Sequence, residues 1–215
     1  MKSSEEKRMT QAERTDLSDR RMLDAAVTLI VAHGVQKTTL KAVGERAGYS
    51  RGLAGYRFGN KAGLLEFIVR TIGEGWLRDL TRATQGLNGY PAMAAAIDEH
   101  LVFCLDAPDH VRAFYILWFE AVTPASPVKR VVAGIHDRRR RDITRWIQAA
   151  IDQGAPEPVI PPDAIAGQFN TSIVGIVYDW LQHPSDNQSV GLLHQHLKFT
   201  MSRLLRSDLP GDGAP

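Results

Sequence analysis

Apolar residues along this chain return every three or four positions, the period of a helix with one buried face, and no stretch alternates as a strand would. Met22, Ala25, Ala26, Leu29 and Ile30 predict a first helix, N-capped by Ser18 and stopped at His33-Gly34. Leu40, Val43 and Ala47 predict a second, short one. Thr38 and Thr39 stand at its start, and Gly48 sits where a left-handed terminus is wanted. Ser50 then caps a third helix over 51–57, with Leu53 and Ala54 facing inward. Asn60 caps a fourth, whose face runs Leu64, Leu65, Ile68, Val69, Ile72, Trp76 and Leu80, ending near Gly86. Five more follow: Pro91 to Leu105, Pro108 to just before Pro124, Pro127 to Gly154, one N-capped by Asp163 down to His183, and Gln188 to Arg206. The expectation is an all-α fold of about nine helices.

The second and third of these helices, joined by a glycine turn of a few residues, have the layout of a helix-turn-helix, the DNA-binding hairpin. Charge agrees. Between His33 and Lys61 the cations are Lys37, Lys41, Arg46, Arg51, Arg57 and Lys61 against the single acid Glu45. Phosphate contacts supply most of the affinity for a duplex, so a local cationic excess is what the chemistry demands. The third helix is the recognition helix. Arg51 near its start can grip guanine O6 and N7 bidentately, and Lys41 is placed for a phosphate or a guanine edge. Tyr56 and Lys61 read as backbone clamps, although Tyr56 is also of a kind to pack between helices. Gly52, Ala54 and Gly55 leave few base-reading groups, so shape readout carries part of the recognition. The expected DNA-facing set is Thr38, Thr39, Lys41, Ser50, Arg51, Gly52, Tyr56, Arg57 and Lys61.

Residues 21–65, RMLDAAVTLIVAHGVQKTTLKAVGERAGYSRGLAGYRFGNKAGLL, resemble the N-terminal domain of the tetracycline-repressor (TetR) family. The AA-centred helix, the HG turn, the TT start and the AGYS turn fall in register. The ending Tyr56-Arg57-Phe58-Gly59-Asn60-Lys61 is similar to the family's Y-H-F-x-S/N-K, departing at Arg57, where histidine is more usual, and at Gly55. The resemblance implies a homodimer on a palindromic operator, a C-terminal domain that binds an inducer, and a fourth helix that acts as the lever between them. It also favours a phosphate contact for Tyr56.

In the second region the sixth helix carries Phe114, Tyr115, Leu117, Trp118 and Phe119 with almost no polar face, and is expected to be buried all round. With Trp76, Phe103 and Trp146 these aromatics form a candidate lining for a small apolar or amphipathic effector (Trp76, Phe103, Phe114, Tyr115, Trp118, Trp146). An aromatic stripe is more often plain core, and the family resemblance is what raises the pocket reading. The eighth and ninth helices hold more apolar face than one core needs. Phe169, Ile173, Ile176, Val177 and Trp180, with Leu193, Leu197 and Met201, are expected to pair two copies in a four-helix bundle, helped by a groove of Gly167, Thr171 and Gly175.

Other features carry less. Arg138 to Arg141 lie about 100° apart on a helix, share no face, and read as a solvated surface laced by i,i+4 acids. His100 and Cys104, also i,i+4, lack a third ligand of matching spacing and read as core. No phosphate loop, paired carboxylates or serine elbow is present, so neither catalysis nor a cofactor is expected. Residues 1–70 hold 13 Lys/Arg against 8 Asp/Glu and residues 71–215 hold 13 against 16, which confines nucleic acid to the front. One cysteine, no apolar run of about 18 residues and no signal-peptide core point to a cytoplasmic protein with no membrane partner. The expected organisation is a flexible arm, or a helical extension of the first helix, at 1–17, the DNA-binding domain at 18–65, a ligand-binding and dimerisation domain at 66–206, and a flexible tail at 207–215. The expected partners are double-stranded DNA, a second copy of the chain and a small-molecule effector. The competing reading is a helical enzyme or small-molecule-binding protein with an incidental helix-turn-helix.

Overall fold

The computed structural model describes residues 10–205, and these form nine α-helices with no strand among them. They are α1 Gln11–Lys37, α2 Leu40–Arg46, α3 Arg51–Phe58, α4 Lys61–Ala83, α5 Gly89–Asp106, α6 Pro108–Glu120, α7 Lys129–Asp152, α8 Pro162–Gln182 and α9 Asn187–Leu204. Two compact units divide between Ile68 and Val69, a point inside α4.

In the first unit α1 starts earlier than its apolar stripe predicts. Thr10 accepts the Glu13 amide through its hydroxyl, and the Glu13 carboxylate accepts the Thr10 amide at 2.7 Å. This capping box satisfies two otherwise orphan donors, so residues 11–17 are helical and extend the first helix, the second of the two readings of that arm. Ser18, expected to be the cap, instead donates its hydroxyl to the Thr15 carbonyl at 2.8 Å. The remaining arm, residues 1–9, and the expected tail lie outside the described residues. Helical geometry breaks at Gly34, where φ is 77°. The turn between α2 and α3 needs Gly48 at φ +78°, a conformation other residues adopt only with strain, and the Tyr49 amide closes it onto the Gly44 carbonyl at 2.8 Å. Met22, Ala26, Ile30, Val43 and Ala54 are buried. Leu53, expected inward, is 37 % exposed.

In the second unit α5 packs on α7 and α9, and α8 packs on α7 and α9, around Ile97, Leu117, Ile143, Ile147 and Ile165. A Cβ at Gly73 would come within 2.8 Å of Ile135 Cδ1, so the glycine allows α4 to approach α7 closely. Asp163 is not a cap either. Pro161 occupies the cap position, and Asp163 in the first turn receives the Arg140 guanidinium from α7. On α6 burial is less complete than its composition suggests, because Phe119 is 38 % exposed and its ring meets that of Tyr178 edge-on at 6.1 Å.

The expected dimer stripe requires a correction. Phe169, Ile173, Ile176, Val177, Trp180, Leu197 and Met201 are all buried within the single chain, and Leu193 is half-buried. They are taken up by the packing of α8 and α9 on α5 and α7, so within this stripe Leu193 alone keeps appreciable area for a second copy. The opposite faces are the open ones: Tyr178 is 58 % exposed on α8, and Leu192 and Phe199 on α9 are 49 % and 52 % exposed. No described helix is long and apolar enough to cross a membrane.

Candidate nucleic-acid interface and interior cavity

Three side-chain caps build the hairpin. Thr39 accepts the Ala42 amide at 3.1 Å, Ser50 the Leu53 amide at 3.2 Å and Asn60 the Gly63 amide at 3.1 Å, so α2, α3 and α4 each begin at a residue able to satisfy an orphan donor. The chain between them is therefore held at short range, and the exposed side chains of α3 project from a fixed frame. Tyr56 is 89 % exposed, and Arg51 and Gly52 are exposed beside it. Lys37, Arg46 and Arg51 are exposed and take part in no ion pair among the described residues. Lys41 is exposed but loosely paired with Glu45 at 3.8 Å.

The other expected contacts are placed differently. Thr38 is fully buried, and its hydroxyl donates to the Gly34 carbonyl at 3.1 Å; it closes α1 instead of meeting a phosphate. Arg57 grips Asp19 of α1 with a two-pronged pair that raises the arginine's pKa, so it ties α3 to its supporting helix. Lys61 donates to the Gln36 carbonyl at 3.0 Å, at the negative end of α1, and must leave it to reach DNA.

In the second unit a small cavity of about 10 Å³, room for about one water, is bounded by Trp76 and Leu80 of α4, Ala96 and His100 of α5, Arg139, Asp142, Ile143 and Trp146 of α7, and Phe169 and Ile173 of α8. Of the six aromatics expected to line a pocket, Trp76 and Trp146 do so. The other four lie outside it: Phe103 meets Trp76 with centroids 6.5 Å apart, and Phe114, Tyr115 and Trp118 meet one another, the Phe114 and Trp118 centroids 5.6 Å apart. Phe169 and Ile173, assigned to the interface from sequence, line the cavity. Arg139 and His100 were not foreseen there.

Behind His100 runs a buried chain of hydrogen bonds. The Val190 carbonyl can only accept, so His194 Nδ1 donates to it at 2.7 Å and its Nε2 is left to accept. His100 Nδ1 then donates to His194 Nε2 at 2.9 Å, and the Tyr115 hydroxyl donates to His100 Nε2 at 3.3 Å. Burial, His194 and Arg139 hold His100 well below its usual pKa, and burial lowers that of His194, so both rings are neutral. Cys104 lies 3.9 Å from His100, its thiol pushed up to about 12 by burial. His194 thus supplies the third potential ligand that the sequence spacing did not provide, with all three ligand atoms within 4.8 Å. Every imidazole nitrogen of the pair is already engaged in hydrogen bonding.

Residues 22–68 match the family model described as "Bacterial regulatory proteins, tetR family". Over 196 residues the chain is 24 % identical to the HTH-type transcriptional regulator YfiR of Bacillus subtilis, covering 91 % of this chain and 96 % of that one. A transcriptional regulator from Rhodococcus sp. Rha1 shares the fold with a TM-score of 0.74 at 19 % identity, over 90 % of this chain and 100 % of the other. The complex of SmeT with triclosan also reaches 0.74, at 21 % identity over 92 % of this chain and 97 % of that one. A capped, cationic helix-turn-helix that matches the TetR family model, in a chain similar along its length to transcriptional regulators, makes this protein a DNA-binding transcriptional regulator with a TetR-type N-terminal domain.

Proposed function

We propose that the chain is a homodimeric repressor that binds a palindromic operator and is released when a small apolar or amphipathic effector enters the second unit. The observation that carries the DNA half is the outward display of Arg51 and Tyr56 on a short helix fixed by the Ser50 cap and by the Arg57–Asp19 pair. Arg51 reads base edges; Tyr56, with Lys37, Lys41, Arg46 and a released Lys61, holds phosphates.

A palindrome requires two copies, and the free faces of α8 and α9 suit one. Tyr178, Leu192 and Phe199 present apolar area. A Cβ at Gly167 or Gly175 would meet nothing within 4 Å, so packing inside the chain does not require these glycines; backbone approach from outside does. The effector half is supported by Trp76 and Leu80, which place α4 on the cavity wall, and by the likeness to SmeT, which has been solved with triclosan. An occupant larger than water must displace α4, the helix that continues into the first unit. Release then requires only that the effector bind the two arrangements unequally, by a coupling of typically 1–3 kcal/mol.

Selection from a random duplex pool by the purified protein tests the DNA half. The expected product is an inverted repeat with half-sites about one helical turn apart, or a multiple of it. An asymmetric single site, or no enrichment, would remove the proposal.

A further inference from the structure

Arg139 is only 4 % exposed, midway along α7, and its Nη2 has no hydrogen-bond partner. The guanidinium carbon lies 5.2 Å from the Trp76 ring centre and 5.8 Å from that of Trp118. Those ring faces attract the charge, but they leave the in-plane Nη2 without a hydrogen-bond partner. Among the described residues no carboxylate pairs with it. Asp142, the one acid on the cavity wall, is engaged by Arg145 at 2.9 Å and faces Arg138 at 3.9 Å. The Tyr115 phenol is close enough to the guanidinium for a hydrogen bond, but burial keeps the phenol neutral, so it is no counter-ion. A buried, always-charged group without a counter-ion is among the costliest things a fold can hold, and native proteins keep one mainly where something arrives to meet it.

A second unpartnered donor belongs to a residue of the same wall. Trp76 Nε1 is buried and unpartnered, and Trp76 lines the cavity from α4. His100 on the same wall is neutral, so Arg139 is the one cation there, and the one anion, Asp142, is held by Arg145 and Arg138. The remaining walls, Leu80, Ala96, Ile143, Trp146, Phe169 and Ile173, are apolar. We propose that this cavity receives an organic monoanion, a carboxylate on an apolar body, with its head on Arg139 and Trp76 Nε1 and its body among Ile143, Trp146, Phe169 and Ile173. The inference rests on the effector reading of the second unit and names the chemical class of that effector. Seating such an anion parts the apolar walls, and the gain from neutralising Arg139 is what offsets their parting.

The test uses the full chain, refolded from denaturant to strip any bound molecule. It is titrated with 2-naphthoate and 2-naphthamide, and with octanoate and octanamide, by calorimetry and by tryptophan fluorescence. In wild type each anion should bind about tenfold or more tighter than its amide, the size of a charge-assisted hydrogen bond. Arg139→Met should erase that preference, Arg139→Lys should keep part of it, and Trp76→Phe should weaken the anion without weakening the amide. Equal affinity for anion and amide in wild type, no binding of either anion at millimolar concentration, or an anion affinity untouched by Arg139→Met would overturn the proposal. Release of operator DNA is read separately. Arg139-dependent anion binding that leaves DNA bound keeps this inference and removes the effector reading. Release by the amides as readily as by the anions does the reverse.

Discussion

Replacing Arg139 by methionine should stabilise the ligand-free protein. The guanidinium sits between Trp76 and Trp118, at 5.2 and 5.8 Å from their ring centres, with one terminal nitrogen unpartnered. Each ring returns roughly 0.5–2 kcal/mol as a cation–π contact. Against this stands the desolvation of a full charge, which remains several kcal/mol per ion after relaxation. Methionine keeps a long unbranched stem in the same channel, and its thioether offers each ring a contact of about 0.3–1.5 kcal/mol. The balance resembles that of other buried ionic groups replaced by well-packed apolar ones, neutral to about 1–4 kcal/mol more stable. For a domain of this size each kcal/mol moves the midpoint by roughly 2–4 °C. The assay is calorimetric melting of stripped protein at one fixed concentration, since the proposed dimer would make the midpoint concentration-dependent. A variant that melts several degrees below wild type while remaining folded would mean that Arg139 is satisfied within the chain, and the counter-ion argument would fail.

Asp19→Asn should release Arg57 and remove a negative charge behind the recognition helix. The pair is partly exposed, so the loss of stability should stay within about 1 kcal/mol, while binding to random duplex strengthens and the salt slope steepens by roughly one unit. Unchanged or weaker binding to random DNA would show that Arg57 serves the site only through Asp19. His100 and His194 have folded pKa values below their unfolded ones, so below about pH 6.5 the unfolded chain takes up protons that the folded chain refuses. Stability should be full above that pH and fall by up to about 1.4 kcal/mol per unit for each histidine as the pH drops; urea midpoints that stay flat from pH 7 to 5 would contradict the neutral pair. Tyr178→Asp combined with Phe199→Asp should bring the mass in solution down to the 23.8 kDa of one chain, and a persisting dimer would move the interface off the outer faces of α8 and α9.

What the sequence made legible was local. Ser50, Thr39 and Asn60 cap within three residues of themselves, and the Gly48 turn needs nothing beyond its own backbone, so the hairpin could be drawn from its letters. Arg57 could not be placed, because the partner that redirects it, Asp19, lies 38 residues away. Periodicity on α8 reported that Phe169 and Ile173 are buried but not against what, and the cavity and α7 claim them before a second copy can. The run Arg138 to Arg141 misled in an instructive way. Residues about 100° apart on a helix share no face, and for that same reason one of four must turn inward. That one is Arg139. The missed start of α1 did have a signal in the sequence, the Thr10-x-x-Glu13 box, hidden because no apolar stripe follows it at once.

The most direct trial of the account is a salt series of binding affinities for the selected inverted repeat and for a scrambled duplex of equal length, with wild type and Arg51→Ala. The account predicts two chains per repeat and a steep salt dependence on both duplexes. It also predicts a preference for the repeat that Arg51→Ala reduces by about 1–3 kcal/mol while sparing the scrambled duplex. Equal affinity for the two duplexes in wild type, or a preference that survives loss of Arg51, would contradict it.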